Sequence, residues 1–390
     1  MPGDRDQLRE WQQEAYTAWE DAGRRGIVGV VTGGGKTTFA LRCLDAYRQT
    51  VPAATALVVV PTAALVEQWL EEVTRYFDIP LSHITILTGR GKIRRTRVNI
   101  GVINTVAQLA SLPPAEPLFL IVDECHRAAS DVFRRIFAIP AEASLGLSAT
   151  PERQYDSGLQ EVLIPNLGPI IFRYTYKEAL ADGVIVPFVL HNILFSFEAR
   201  EQEQYEKLTK AIRIAIERYG VESPEAVALM LKRARVSNLS LGRIRIASQL
   251  VARNRDRRIL LFHEDTSACD LINQVLTQNG VASGVYHSRI PMAARVETLA
   301  AYRRGKINVL VTCRALDEGF NAPKTEIGII AAATATYRQR IQRLGRVLRP
   351  AEGKRGAAIY SIVASVPEIQ RLAEEAKDLE GVAEVTWTHG

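Results

Sequence analysis

Gly29-Val30-Val31-Thr32-Gly33-Gly34-Gly35-Lys36-Thr37-Thr38 is the stretch on which the reading of this chain turns. Apolar residues run from Ile27 to Val31, three glycines follow, and a helix-compatible run begins near Thr37. Strand, tight loop and helix, in that order, make a phosphate cradle. Glycines permit positive φ and let backbone N–H groups approach an anion, and a helix N-terminus adds favourable partial charge. In such a cradle Lys36 reaches the β- and γ-phosphates and the Thr37 hydroxyl sits on Mg²⁺. Val30 stands where the strict P-loop pattern has a glycine, and a glycine run before Gly-Lys-Thr also suits a solvated turn. The rest of the chain must decide between them.

Outward from the loop, Phe119-Leu120-Ile121-Val122-Asp123-Glu124-Cys125-His126 is an apolar strand that ends in two acids. Beside a P-loop, Asp123 suits Mg²⁺ and Glu124 suits orientation or deprotonation of the attacking water. In isolation the pair would be an acidic turn, and it is the Lys36 loop that gives it meaning. Near the other end of the chain Arg343, Arg346 and Arg349 recur every third residue on an expected helix, so they share a face that calls for an anion.

Length and composition set the frame. A chain of 390 residues exceeds one typical core, and 47% hydrophobic with 24% charged residues fits a globular protein of two domains. No apolar run is long enough to span a bilayer and the polar N-terminus does not read as a signal peptide, so no membrane association and a cytoplasmic location are expected. Cys43, Cys125, Cys269 and Cys313 are too scattered for a zinc site or a disulfide framework. The formal charge of +6 favours a polyanionic partner.

A helix is expected from Leu8 to about Ala22. Short apolar strands then alternate with amphipathic stretches, at Ile27–Val31, Ala56–Val60, Ile84–Leu87, Asn99–Ile103, Leu118–Val122 and Ser144–Leu147. Helices are expected over Thr37–Tyr47, Leu65–Tyr76 and Asp131–Phe137. Continuous apolar strands imply a mostly parallel sheet covered on both faces, hence an α/β class with ligands at the carboxyl ends of the strands. Residues 191–253 turn charged and helical, which reads as an insertion or linker after a first domain of residues 1–190. Alternation resumes over 254–365 with strands at Ile259–His263, Val281–Tyr286, Asn308–Thr312, Ile327–Ala331 and Ala357–Ile362, and residues 366–390 read as a closing helix and tail.

These segments carry a resemblance. Asp123-Glu124-Cys125-His126 is similar to the DExH box of superfamily 2 helicases, and other motifs of that family follow in order. Leu8-Arg9-Glu10-Trp11-Gln12 resembles the adenine-reading entry motif, and Thr32–Thr37 resembles motif I, whose helicase form does not need the glycine absent at Val30. Pro61 to Trp69 resembles motif Ia, Ser148-Ala149-Thr150-Pro151 motif III, Val309–Pro323 motif V, and Gln342–Arg349 motif VI. Gln68-Trp69 and Asp317-Glu318-Gly319-Phe320-Asn321-Ala322-Pro323 look more like the XPB and type III restriction subunit branch than like DEAD-box RNA helicases.

The resemblance implies two tandem RecA-like domains separated by the helical segment, with ATP and Mg²⁺ as ligands. Gln12, Thr32, Gly33, Gly34, Gly35, Lys36, Thr37, Thr38 and Gly319 are then expected at the nucleotide, Thr37 and Asp123 at the metal, and Arg346 and Arg349 as arginine fingers. His126, Ser148, Thr150, Gln342 and Arg343 are implied in coupling nucleotide state to the second domain. Thr62, Gly89, Arg90, Thr105, Gln108, His287, Ser288 and Thr312 are implied at nucleic-acid phosphates, where hydroxyls, N–H groups and arginines position a strand without reading bases. The expected activity is an ATP-dependent helicase or translocase, with DNA favoured over RNA. A nucleic-acid clamp that hydrolyses ATP without unwinding, with the helical segment as a protein-binding surface, is the alternative. A P-loop kinase or transport ATPase leaves motifs V and VI unexplained.

Overall fold

The computed structural model describes residues 8–87, 97–109, 117–149, 157–221, 223–313, 324–332, 345 and 347–390. It divides into two compact units, Met1–Ala179 and Leu180–Gly390. In the first unit the strands are β1 (Arg25–Val30), β2 (Thr55–Val60), β3 (Ile84–Leu87), β4 (Val98–Val102), β5 (Leu118–Asp123), β6 (Ala143–Ser148) and β7 (Ile170–Tyr174), in the spatial order β3-β4-β2-β5-β6-β1-β7. Every pair is parallel. Helix α1 (Glu10–Asp21) precedes β1; parallel neighbours need crossovers, and α2 (Lys36–Thr50), α3 (Ala63–Phe77) and α4 (Ile103–Leu109) lie among them. The runs Thr-Ala-Leu-Val-Val-Val in β2 and Leu-Phe-Leu-Ile-Val-Asp in β5 are buried throughout, as strands covered on both faces must be.

The second unit repeats the plan. Strands β8 (Phe188–Leu194), β9 (Ile259–His263), β10 (Ser283–Tyr286), β11 (Val309–Cys313), β12 (Ile327–Ile330), β13 (Ala357–Val363) and β14 (Glu384–His389) form a sheet in the order β10-β11-β9-β12-β13-β8-β14. All of its pairs are parallel too. Its helices include α7 (Ala199–Tyr219), α8 (Pro224–Asn238), α9 (Leu241–Arg253), α10 (Thr266–Gln278), α11 (Met292–Arg303) and a last one, α12 (Val366–Asp378). The first unit also contains α5 (Ile164–Leu167), and α6 (Tyr176–Ala181) spans the division between units.

The structure places the boundaries differently from the sequence pattern. The first unit ends near residue 179 instead of 190, because β8 pairs with β13 and so belongs to the second sheet. Residues 191–253 are not a separate insertion. Ile244, Ala247, Leu250 and Val251 of α9 share a core with Ile259, Leu261, Val309 and Ile329. Residues 366–390 are more than a helix and tail, since β14 extends the sheet along β8. The helix expected over Asp131–Phe137 is a 3-10 turn at Phe133–Ala138, and the arginine helix falls mainly outside the described residues.

A buried ion pair fastens α9 into this unit. Arg243, fully buried, donates through Nη2 to both carboxylate oxygens of Glu368 in α12, at 3.0 and 3.2 Å, and through Nε to the Ser237 carbonyl at 3.1 Å. Its Nη1 donates to the Ile362 carbonyl at the end of β13. Glu368 Oε2 also accepts from the N–H groups of Ala364 and Ser365 at 2.8 and 3.3 Å, so both charges keep partners.

A candidate nucleotide site at the carboxyl edge of the first sheet

Strand order builds the site. In the first sheet β6 lies between β5 and β1, and the pairings Asp123↔Leu147 and Gly29↔Ser148 bring three strand ends to one edge. The acid pair, Ser148 and the glycine loop therefore meet, although they are far apart in sequence. Sequence-adjacent α2 starts at Lys36, with Gly35 at its N-cap in the left-handed region (φ 99°), and Gly33 also has positive φ (91°). A Cβ at Gly35 would stand 3.1 Å from Gln12 Nε2, so conformation and space both favour glycine there.

The entry motif holds the loop from behind. Gln12 is buried; its Nε2 donates to the Gly35 carbonyl at 3.2 Å and its Oε1 accepts from the Arg9 N–H at 3.0 Å. Arg9 Nη1 donates to the Gly34 carbonyl at 3.2 Å. These are loop contacts, so the structure gives Gln12 a supporting role in addition to the adenine contact expected from the resemblance. Arg9 was not singled out as a site residue, although it sits in the same motif.

Across the loop, Lys36 Nζ lies 3.1 Å from Glu124 Oε1. Burial alone would lower the Lys36 pKa, but the carboxylates of Glu124 and Asp123 outweigh it and raise the pKa, so the ammonium is retained. Burial raises the Asp123 pKa, Lys36 opposes the rise and Glu124 adds to it. Asp123 is nevertheless well held. Its Oδ1 accepts from the Glu124 N–H at 3.0 Å, and its Oδ2 accepts from the indole N–H of Trp69 in α3, also at 3.0 Å. Glu124 itself takes positive φ (48°), a conformation uncommon outside glycine that turns the chain sharply after β5. His126 Nδ1 then comes within 3.0 Å of Ser148 Oγ and 3.5 Å of Glu124 Oε2.

These residues fit Mg·ATP. Positive-φ glycines precede a helix start, a charged lysine stands at that start, Thr37 follows it in the first turn, and Asp123 is ready to accept. Among the described residues the buried Thr32 Oγ1 in the loop has no hydrogen-bond partner, and a phosphate oxygen would supply one. Among the described residues no group of three or more His, Cys, Asp and Glu side chains could hold a metal.

The model of the family "type III restriction enzyme, res subunit" matches residues 5–153, and that of "helicase conserved C-terminal domain" matches residues 242–351. Both parts of the motif series are thereby accounted for. The chain belongs to the superfamily 2 helicases, in the branch of XPB and the type III restriction subunits. It is 26% identical to a DNA 3′-5′ translocase XPB2 of Sulfurisphaera tokodaii, over 96% of this chain and 85% of the relative. It is also 26% identical to a putative DNA 3′-5′ helicase Rad25 of Haloarcula marismortui over 88% of this chain, and spans about half (51%) of that relative's length. The Hef helicase domain of Pyrococcus furiosus has the same fold, with a TM-score of 0.62 at 17% identity over 97% of this chain and 99% of that one.

The other helicase-motif residues are distributed as follows. Thr62 caps α3, its Oγ1 accepting from the Leu65 N–H at 3.4 Å. Thr105 and Gln108 lie on α4 just beyond β4, half-buried and exposed. Thr38 is exposed in the first turn of α2 and Ser288 is exposed after β10. Two further residues expected at phosphates are buried. His287 is 2% exposed, with Nε2 2.9 Å from Asp270 Oδ1, and Thr312 is fully buried on β11. Arg349 is half-buried beside Lys354, whose Nζ donates to the Arg349 carbonyl at 2.8 Å. Gly89, Arg90, Thr150, Gly319, Gln342, Arg343 and Arg346 lie outside the described residues.

Proposed function

We propose that this helicase-family chain is an ATP-dependent DNA helicase or translocase that couples hydrolysis at the Lys36–Glu124 site to strand movement or duplex remodelling. The observation that carries the reading is the convergence of Lys36, Asp123, Glu124 and Ser148 at one sheet edge. Lys36 and the loop N–H groups bind phosphate, Thr37 and Asp123 hold Mg²⁺, and Glu124 takes the proton of the attacking water. When bound, Mg²⁺ neutralises charge on the phosphates. By resemblance, Arg346 and Arg349 of the second unit supply the transition-state positive charge, and Thr62, Thr105, Gln108 and Ser288 position the strand. DNA is favoured over RNA, and 3′-5′ direction expected, because the named relatives are DNA 3′-5′ translocases and helicases.

The test is displacement of streptavidin from biotinylated single-stranded DNA. A 3′-5′ translocase clears a 5′-biotin end in an ATP-dependent manner and leaves a 3′-biotin end occupied. ATP hydrolysis with no displacement at either end, and none of the strands of a forked duplex released, is the outcome expected of a clamp.

A further inference from the structure

Trp69 belongs to none of the roles assigned above, yet it touches the residue on which the metal site depends. Its indole is fully buried, and its only polar atom, Nε1–H, points at Asp123 Oδ2 across 3.0 Å. The second oxygen of the same carboxylate is held by the Glu124 N–H at 3.0 Å. An indole N–H is a donor and never an acceptor, so this contact is made to a carboxylate lone pair and fixes the orientation of the group. A packing role alone would not require the nitrogen to face the acid. Tryptophan in a core usually finds whatever acceptor is near, whereas here the acceptor is Asp123, the carboxylate read above as the one that holds the metal.

We infer that Trp69 is a positioning residue for the metal: its N–H holds the Asp123 carboxylate in the rotamer that presents its remaining lone pairs to Mg²⁺, and so sets the metal affinity of the nucleotide site. The inference rests on the reading of this edge as a Mg·ATP site. It gives motif Ia a function at the ATP site, since Trp69 lies on the same helix that Thr62 caps. Trp69 is seven positions on from Thr62, about 10 Å of helical rise, so the capped end and the residue that holds the metal ligand are joined by one rigid element.

Trp69→Phe keeps an aromatic ring at the position and removes the donor. Fluorescence titration of the full-length chain with mant-ATP separates the possibilities. In the variant the Mg²⁺ concentration giving half-maximal mant-ATP binding is expected to rise about tenfold, the scale of one hydrogen bond to a charged group, while affinity in EDTA stays within about twofold of wild type. An unaltered Mg²⁺ midpoint overturns the inference, as does a parallel loss of metal-free affinity, which is what a merely structural tryptophan would give. Should Trp69→Phe fail to fold, ¹⁵N-indole spectra of the wild-type chain decide. The indole resonance that moves in Asp123→Asn must be one that moves when Mg²⁺ is added to the AMP-PNP complex, and its failure to move overturns the inference. Absence of mant-ATP binding by the wild-type chain would instead sink the nucleotide-site reading itself, so the two failures are distinguishable.

Discussion

Lys36 Nζ and Glu124 Oε1 form a largely buried ion pair at 3.1 Å, so the lysine expected at the phosphates and the expected general base hold one another. A γ-phosphate that takes Lys36 competes with Glu124 and leaves that carboxylate available to a water. Glu124→Gln is therefore expected to bind mant-ATP at least as tightly as wild type while hydrolysing ATP ~10²–10⁴-fold more slowly, the usual worth of a positioned base. Lys36→Ala is expected to lose both binding and turnover. Equilibrium titration beside single-turnover hydrolysis checks the split; equal loss of affinity in both variants would assign Glu124 to binding alone.

The His126–Ser148 contact at 3.0 Å ties the end of the acid box to the end of β6. Ser148→Ala removes the hydroxyl without disturbing Lys36 or Asp123, so mant-ATP affinity should remain within about twofold. Stimulation of hydrolysis by DNA is expected to fall several-fold in the same variant. Undiminished stimulation would remove Ser148 from the coupling role.

A pH dependence follows from His263. Its Nδ1 accepts from the Asp265 N–H at 3.0 Å, which leaves Nε2–H to donate to the Asn238 carbonyl at 3.0 Å, so the neutral ring satisfies both neighbours. Burial, reinforced by the nearby Arg243 charge, lowers its pKa from 6.5 to about 4. The unfolded chain thus takes up this proton first. The contribution is fully present above pH 6.5, declines as pH falls towards 4, and amounts to roughly 3 kcal/mol at its limit. Urea unfolding at pH 7 and pH 5 should show the second unit weakening, with a smaller difference in His263→Gln.

The Arg243–Glu368 pair predicts a second stability effect in that unit. Glu368→Ala leaves a fully buried guanidinium without its counter-charge and should cost about 3–5 kcal/mol, whereas replacing both partners by apolar residues should cost less. Hydrogen exchange of the β8 and β13 amides follows the change. A Glu368→Ala protein with wild-type protection there would mean that the pair does not fasten α9 and α12 to the sheet.

How much of this was legible in the chain depends on what each residue needed to be recognised. The central strands were plain, because Thr55–Val60 and Leu118–Asp123 are buried on both faces and carry uninterrupted apolar runs. The edges were not. β7 and β14 are partly exposed, and β8, the strand beside β14, is broken by His191 and Asn192, so none shows the same continuous pattern. Lys36 and Glu124 were found through motifs that the strand order then brought together. Trp69 was visible only as a motif letter, since nothing in sequence tells that α3 turns its indole towards β5. His287 and Thr312 are implied at phosphates by the resemblance, and position in a motif does not report burial.

Whether the Lys36–Glu124 site drives a DNA-dependent motor is decided by steady-state ATP hydrolysis at fixed salt. Rates are compared without nucleic acid and with single-stranded DNA, duplex DNA, forked DNA and RNA, for wild type and Glu124→Gln. DNA is expected to raise the wild-type rate more than RNA does, and Glu124→Gln to abolish the stimulated rate. DNA-stimulated hydrolysis of undiminished size in Glu124→Gln would contradict it.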